Sequence, residues 1–344
     1  MNFKNYEEAI KILNIKEPSD EITSEHWKNF IKDKFININI DKLKNFRNNS
    51  LSLGLDNSTS FNKNDLNNKV DEFKTIIKKL DYKFENILKK FDQKNIGNNE
   101  RYIKVDKYFI DYNQLNLALT HVLIEKNILN KNNTVNHVLE IGAGYGELSR
   151  MLLLDNNFKY FFVDLPENLL LQIYFLKENY PELNIYLNKG EKIHYEDLKN
   201  YNLFFFTPKQ IHNIDDKINF DLIINKSSLM EMKKESVNQY FDFIQKKTNV
   251  DGHFVNINRY FKETEYGKFR FYELPYDSYW IENYSEPYYG FRRLHCLITK
   301  RIKNKNNGLN DTLNKIKKLS NSHEYPRFIP VWLMKIFRTL KFNF

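Results

Sequence analysis

The chain has 344 residues, with 53 Lys and Arg against 44 Asp and Glu, a formal net charge of +9. Ten of those basic residues and two of the acids fall in 301–344, so the first 300 residues carry 43 basic against 42 acidic side chains, and a nucleic-acid-binding body is disfavoured. The single cysteine, Cys296, excludes an intrachain disulfide or a cysteine-based zinc site. No run approaches ~18 apolar residues, and the opening MNFKNYEEAIKIL has no long apolar stretch of the kind a signal peptide needs; the expected setting is cytoplasmic and reducing.

Residues 1–110 read as a mainly helical region, a candidate substrate lid or oligomer contact. Tyr6–Leu13 is amphipathic. Val70–Phe91 places Val70, Phe73, Ile76, Ile77, Leu80, Phe84, Ile87, Leu88 and Phe91 at the 3–4 spacing of one buried helical face. Asn48–Asn68, rich in Asn, Ser and Asp, reads as loop. The stretch 111–130 reads as a further helix. From there to residue 300 short apolar runs alternate with helical patterns: strands at His137–Ile141, Lys159–Leu165, Leu203–Phe206, Phe220–Asn225, Gly252–Asn258 and 293–299, with helices at Gly146–Leu154, 167–179 and 233–247. This alternation predicts an α/β domain with a doubly wound, mostly parallel sheet. Residues 301–344 form a basic tail, polar and Lys/Asn-rich to 323 and expected to be mobile. Its Pro330–Lys341 segment reads as a short amphipathic helix with Trp332, Leu333, Ile336, Phe337 and Leu340 on one arc, as for peripheral contact with the inner membrane surface, for packing on the domain or for a dimer contact.

Three of the ten glycines fall within five residues, in Glu140-Ile-Gly142-Ala143-Gly144-Tyr-Gly146. They follow a strand and open a helix, where a turn uses backbone angles closed to other residues and a ligand approaches the main chain. The spacing departs from the G-x-G-x-x-G of dinucleotide sites. Asp164 ends the next strand, eighteen residues after Gly146. Its carboxylate can accept from a pair of ribose hydroxyls or cap the helix that starts near Pro166. Together these residues resemble motif I of class I S-adenosylmethionine-dependent methyltransferases, over roughly 110–300. The resemblance implies a Rossmann-like sheet with its last strand antiparallel. It also implies S-adenosylmethionine as cofactor and S-adenosylhomocysteine as product, contacted by Glu140, Gly142, Ala143, Gly144, Gly146, Asp164, Leu165, Thr207, Pro208 and Asn225.

Asp164-Leu165-Pro166, Phe205–Gln210, Phe220–Asn225, the pattern Asn225, Ser228, Glu231, Met232, and Asn258-Arg259 resemble the sugar O-methyltransferase family of bacterial polysaccharide loci. That resemblance implies methyl transfer to a hydroxyl of a sugar or nucleotide sugar. In an open α/β sheet the ligand lies beyond the carboxyl ends of the strands, which makes Ser228, Arg259 and Tyr260 candidates for substrate contact. Glu231 and His212 are candidates for the base that takes the hydroxyl proton; Glu231 could instead favour a helix N-terminus, and His212 could be an ordinary surface residue. His295, inside the last strand, reads as structural. The aromatic stretch 272–293 suits either sugar stacking or packing. Scattered acids show no metal-ligand spacing, and metal dependence and oligomeric state stay open. Other readings are a methyltransferase acting on RNA, protein or another small molecule, and a non-catalytic cofactor-binding partner in glycan assembly. A nucleotide-sugar dehydrogenase or epimerase is disfavoured by the glycine spacing.

Overall fold

The computed structural model describes residues 6–13, 34–35, 38–49, 51, 62–131, 134–264, 267–289, 293–306 and 308–324; the Pro330–Lys341 segment lies outside them. Twelve strands are described: β1 Ile103–Val105, β2 Tyr108–Ile110, β3 His137–Ile141, β4 Lys159–Val163, β5 Ile185–Leu187, β6 Leu203–Phe206, β7 Phe220–Lys226, β8 Thr248–Arg259, β9 Phe261–Thr264, β10 Gly267–Arg270, β11 Trp280–Pro287 and β12 Leu294–Arg301. Eight form one sheet in the order β11-β12-β8-β7-β3-β4-β6-β5. Strands β5, β6, β4, β3, β7 and β8 pair in parallel. Strand β12 runs antiparallel between β8 and β11. From β3 the chain winds outward through β4 to β5 and β6, then returns to the other side of β3 with β7. The order therefore reverses between β3 and β7, and the fold is a doubly wound, Rossmann-like α/β sheet with its switch point at the carboxyl end of β3.

The central strands are short apolar runs because both faces are covered. In the β4–β6 register Phe161 lies beside Phe204 and Phe162 beside Phe205. The rings stack at 4.3 Å and 10° on one face and at 4.7 Å and 7° on the other, each pair contributing ~0.5–1.5 kcal/mol beyond area burial. On one face the helices Tyr112–Ile124, Glu147–Leu153 and Pro166–Asn179 share a hydrophobic cluster with Ala9, Leu43, Phe46, Val70 and Ile87 of the N-terminal region. On the other face the helices Lys234–Lys247 and Gly308–Glu324 close a second cluster.

Several expectations are corrected. The helix expected over Val70–Phe91 is two helices, Lys63–Lys79 and Phe84–Leu88. Asn62 caps the first by accepting from the Asn64 amide at 2.9 Å, so helix replaces loop from residue 63 onward. Asp81 ends it in the left-handed conformation, φ 53°. The Tyr82 amide donates to the Ile77 carbonyl at 2.9 Å and the Asp81 amide to the Lys78 carbonyl at 3.0 Å. This is a Schellman ending with Asp in the place usual for glycine. The stretch 301–323, expected to be mobile, contains the helix Gly308–Glu324, held by Leu309, Thr312, Ile316 and Ser320, all buried at helical spacing. The Ser320 hydroxyl donates to the Tyr260 carbonyl at 3.2 Å. In the aromatic stretch, β11 and its flanks use Trp280 and Tyr288 for packing, both fully buried. No helix among the described residues is long and apolar enough to cross a membrane.

Ile316 is completely buried in the second cluster. Its replacement by Ala is expected to cost ~2–5 kcal/mol, read as a shift of the urea midpoint at constant slope. A cost below ~0.5 kcal/mol, the level of ordinary surface changes, would show that the Gly308–Glu324 helix does not pack on the sheet.

Candidate functional site

The turn after β3 is built from three left-handed glycines: Gly142 at φ 76°, Gly144 at 62° and Gly146 at 94°. The Gly142 amide continues the parallel ladder by donating to the Val163 carbonyl at 3.0 Å, and the Arg150 amide starts the following helix on the Gly146 carbonyl at 2.9 Å. A β-carbon on Gly142 would lie 2.3 Å from Ser228 Oγ. Gly142 is thus required twice, by its backbone angle and by the side chain packed beneath it.

Asp164 is the second element. It is 7% exposed, and its carboxylate reaches back to the turn. Oδ2 accepts from the Gly144 amide at 3.3 Å and from Gln172 Nε2 at 2.9 Å. Oδ1 accepts from the Leu165 amide at 2.8 Å and from Asn168 Nδ2 at 2.9 Å. Gln172 Nε2 also donates to the Gly144 carbonyl at 2.9 Å. The first two turns of the Pro166–Asn179 helix therefore clamp the acid and the glycine turn together.

Around this clamp the polar atoms are mostly acceptors. Glu140 lies buried beside the turn and accepts from the Tyr160 hydroxyl at 2.7 Å. Glu167 Oε2, Asn168 Oδ1 and Gln172 Oε1 are buried with no hydrogen-bond partner among the described residues. Burial raises the Asp164 carboxyl to about 6 and the carboxyls of Glu140 and Glu167 to about 7. A buried acceptor without a donor costs ~1–3 kcal/mol. The site is therefore complementary to a ligand bringing donors, such as a diol or an ammonium group.

Tyr145, inside the glycine turn, is packed from the N-terminal side. Its ring lies 5.3 Å from that of Phe46 and 5.0 Å from that of Phe175, and the Arg47 guanidinium sits over it at 5.6 Å. Arg47 is buried and pairs with Asp92 at 3.3 Å and with Asp111. Asp111 in turn caps the Tyr112–Ile124 helix.

The structure sorts the expected site residues. Glu140, Gly142, Ala143, Gly144, Gly146, Asp164 and Leu165 are brought together at the switch point. Thr207 and Pro208 stand next to them, because the Asp164 amide donates to the Phe206 carbonyl at 3.2 Å. Asn225, expected to touch the cofactor, is fully buried with its amide committed: Nδ2 donates to the Ile141 carbonyl at 2.9 Å and to Ser228 Oγ, and Oδ1 accepts from Asn258 Nδ2 at 2.8 Å. Ser228, expected at the substrate, instead donates to the same Ile141 carbonyl at 3.2 Å beneath Gly142. Ser227, between them, takes the left-handed conformation at φ 59° and delivers Ser228 to that place. Tyr260, also expected at the substrate, is 1% exposed and shares a hydrogen with His295 Nδ1 at 3.0 Å; its side chain packs inward. Arg259 is exposed at the end of β8, and His212 is exposed on the 3₁₀ turn Pro208–Asn213. Glu231 is ion-paired with Lys262.

One residue at this edge had no place in the expected site. Lys226, the last residue of β7, donates from Nζ to Asn116 Oδ1 at 3.0 Å and lies 5.1 Å from the centre of the Tyr288 ring. The alternation of Phe220–Lys226 carries the signal: Lys226 shares the face of the buried Leu222 and Ile224 and is itself half-buried. Among the described residues no group of three or more His, Cys, Asp or Glu could hold a metal ion.

No protein-family model matches this chain, and no curated protein matches it. Among solved structures it is similar to TehB from Haemophilus influenzae, with 19% identity and a TM-score of 0.37 over 53% of this chain and 61% of that one. It is similar also to an O-methyltransferase family protein from Burkholderia thailandensis, with 11% identity and a TM-score of 0.37 over 56% and 59% of the two chains. A third is the 1,6-didemethyltoxoflavin-N1-methyltransferase of that species, whose structure holds S-adenosylhomocysteine; identity is 14% and the TM-score 0.37 over 55% and 79%. The match spans less than two thirds of the first two of these chains.

The raised carboxyls make the clamp sensitive to pH. The Glu167 carboxyl sits at about 7 in the fold, against an ordinary value of 4.5. The folded chain therefore keeps a proton that the unfolded chain has released, and this contribution to stability, complete below 4.5, is lost as pH rises through about 7. The stability difference between the native chain and Glu167→Gln is expected to shift against the native chain between pH 5 and pH 8, measured by urea unfolding. A pH-independent difference would show that Glu167 is not held protonated by burial.

Proposed function

We propose that this chain is an S-adenosylmethionine-dependent methyltransferase whose acceptor is a sugar hydroxyl, nucleotide-linked or part of a surface glycan. The observation that carries the methyltransferase reading is the direct hydrogen bonding of Asp164 to the Gly144 amide within the E-x-G-x-G-x-G turn. The residues fit the cofactor. Its ribose hydroxyls would supply donors to the acceptor-rich group of Asp164, Glu167, Asn168 and Gln172, and its amino group would supply donors to the buried Glu140. The glycine turn lets such a ligand approach the main chain between Gly142 and Gly144. When bound, the cofactor supplies an activated methyl group on a positively charged sulfur that departs as a neutral thioether.

The protein's own work is then alignment and proton removal. The glycine turn, packed on Ser228 and held by Gln172 and Asp164 at the side, would fix the position of a bound cofactor, and alignment is the main lever for an in-line displacement. The sugar acceptor is supported by the resemblance of Asp164–Pro166, Asn225–Met232 and Asn258-Arg259 to the sugar O-methyltransferase family. The exposed Arg259 is a suitable partner for a phosphate of a nucleotide sugar.

Calorimetric titration with S-adenosylhomocysteine tests the reading. The native chain is expected to bind, and Asp164→Ala to bind at least about tenfold more weakly, the ~1.4 kcal/mol scale of a charge-assisted hydrogen bond. Circular dichroism of the variant checks that it is folded. Absence of binding in the folded native chain would overturn the reading, and turnover on protein or RNA alone would overturn its sugar part.

A further inference from the structure

We propose that Lys226, at the carboxyl end of β7, is the catalytic residue that takes the proton from the acceptor hydroxyl. The inference rests on the methyltransferase reading and names the base for that same site. Neither of the bases expected from sequence is as well placed. Glu231 is engaged in an ion pair with Lys262, and His212 stands exposed on the turn beyond β6.

The geometry is a box around one amine. Glu140 on β3 pairs in register with Ile224 on β7, and Lys226 follows two residues later on the same face, beyond the carboxyl end of β3. From above, the Tyr112–Ile124 helix reaches both sides of the site. Its Asn113 donates to the Tyr145 hydroxyl of the glycine turn at 3.3 Å, and one turn further Asn116 accepts from Lys226 Nζ at 3.0 Å. The third wall is Tyr288, whose ring faces the amine and whose hydroxyl donates to the Asn116 carbonyl. Cys296 on β12 completes the surroundings: it pairs with Ile257, and Ile257 pairs with Lys226.

These neighbours suit a base. A lysine held for structure is usually paired with a carboxylate, whereas among the described residues the hydrogen bond of Lys226 goes to a neutral amide oxygen, that of Asn116. Burial lowers its ammonium to about 8, with the Cys296 thiol and the Glu140 carboxyl pulling the other way. An amine at about 8 is neutral in about one molecule in ten at pH 7 and increasingly so above it, the range in which a general base works. In the step the amine lone pair of Lys226 takes the hydroxyl proton. The hydroxyl oxygen forms the new bond to the methyl carbon, and the carbon–sulfur bond breaks with its electron pair remaining on sulfur. Lys226 is left as an ammonium that returns the proton to water.

The position next to the transferred methyl can be tested without knowing the acceptor. Sinefungin carries an amine where the cofactor carries its methylsulfonium, whereas S-adenosylhomocysteine is uncharged there. In ¹³C-dimethylated native chain, the Lys226 signal is expected to titrate well below the other lysines. In the sinefungin complex it is expected to fall by about a further pH unit relative to the S-adenosylhomocysteine complex, through like-charge repulsion. At pH 7 Lys226→Met should bind S-adenosylhomocysteine as the native chain does and sinefungin more tightly, by up to about tenfold, because the repulsion that displaces the titration also weakens the ligand. Equal titration in the two complexes, or titration of Lys226 with the bulk lysines, would overturn the role of Lys226 while leaving the cofactor site intact. Failure of the folded native chain to bind either ligand would overturn the methyltransferase reading and this proposal with it.

Discussion

The arrangement at the switch point depends on one buried carboxylate. Asp164 accepts four hydrogen bonds, two from backbone amides and two from side chains of the next helix. Each constrains a different piece: the glycine turn, the start of the helix, and the side chains one and two turns along it. Charge-assisted bonds of this kind are the strong ones, yet burial still pushes the carboxyl up to about 6. The clamp therefore holds its geometry while leaving electrostatic demand unmet. A rigid frame with unspent acceptor capacity is what a site needs in order to bind a donor-rich ligand with little reorganisation.

The two faces of the sheet divide the labour. Glu140, Ile224, Lys226 and Cys296 look toward the Tyr112–Ile124 helix, and that face holds the base proposed above. Asn225, Asn256 and Asn258 look the other way, and their amides form a chain from the Ile141 carbonyl to the Tyr276 hydroxyl. That polar chain lies under the end of the sheet and holds the strands β3, β7 and β8 in step where a ligand would press on them. Buried amides stabilise such a seam through the partners they find, and here Asn258 Oδ1 alone of the three side chains' oxygens is left without one among the described residues.

Much of the frame could be read from the sequence because its signals are local. The glycine run, the apolar strands from His137 to Asn258 and the proline opening the helix at 166 each rest on a few adjacent residues, and the structure has them in those places. What escaped depends on partners far along the chain. Ser228 resembles a loop serine until Gly142 is seen above it, and Tyr260 resembles a strand-end substrate contact until His295 takes its hydroxyl. Strand β5 is three residues long, and β11 is hidden among tyrosines that equally suit a loop. The Gly308–Glu324 helix has few apolar residues to set against its lysines. Asp81 ends a helix in a conformation that most residues avoid, so a continuous periodic pattern broke where no glycine or proline marked it.

Arg47 binds the N-terminal region to all of this. Its guanidinium joins the acid that caps the Tyr112–Ile124 helix to the aromatic ring inside the glycine turn. The N-terminal segment around Arg47 thus acts less as a detachable hood than as a keystone. A fragment beginning at the helix cap would keep the sheet and every residue of the switch point, yet strip Asp111 of its cation and leave Tyr145 bare on one side. Another amino-terminal segment grafted onto this sheet would meet the same two demands, a cation for Asp111 and a cover for Tyr145.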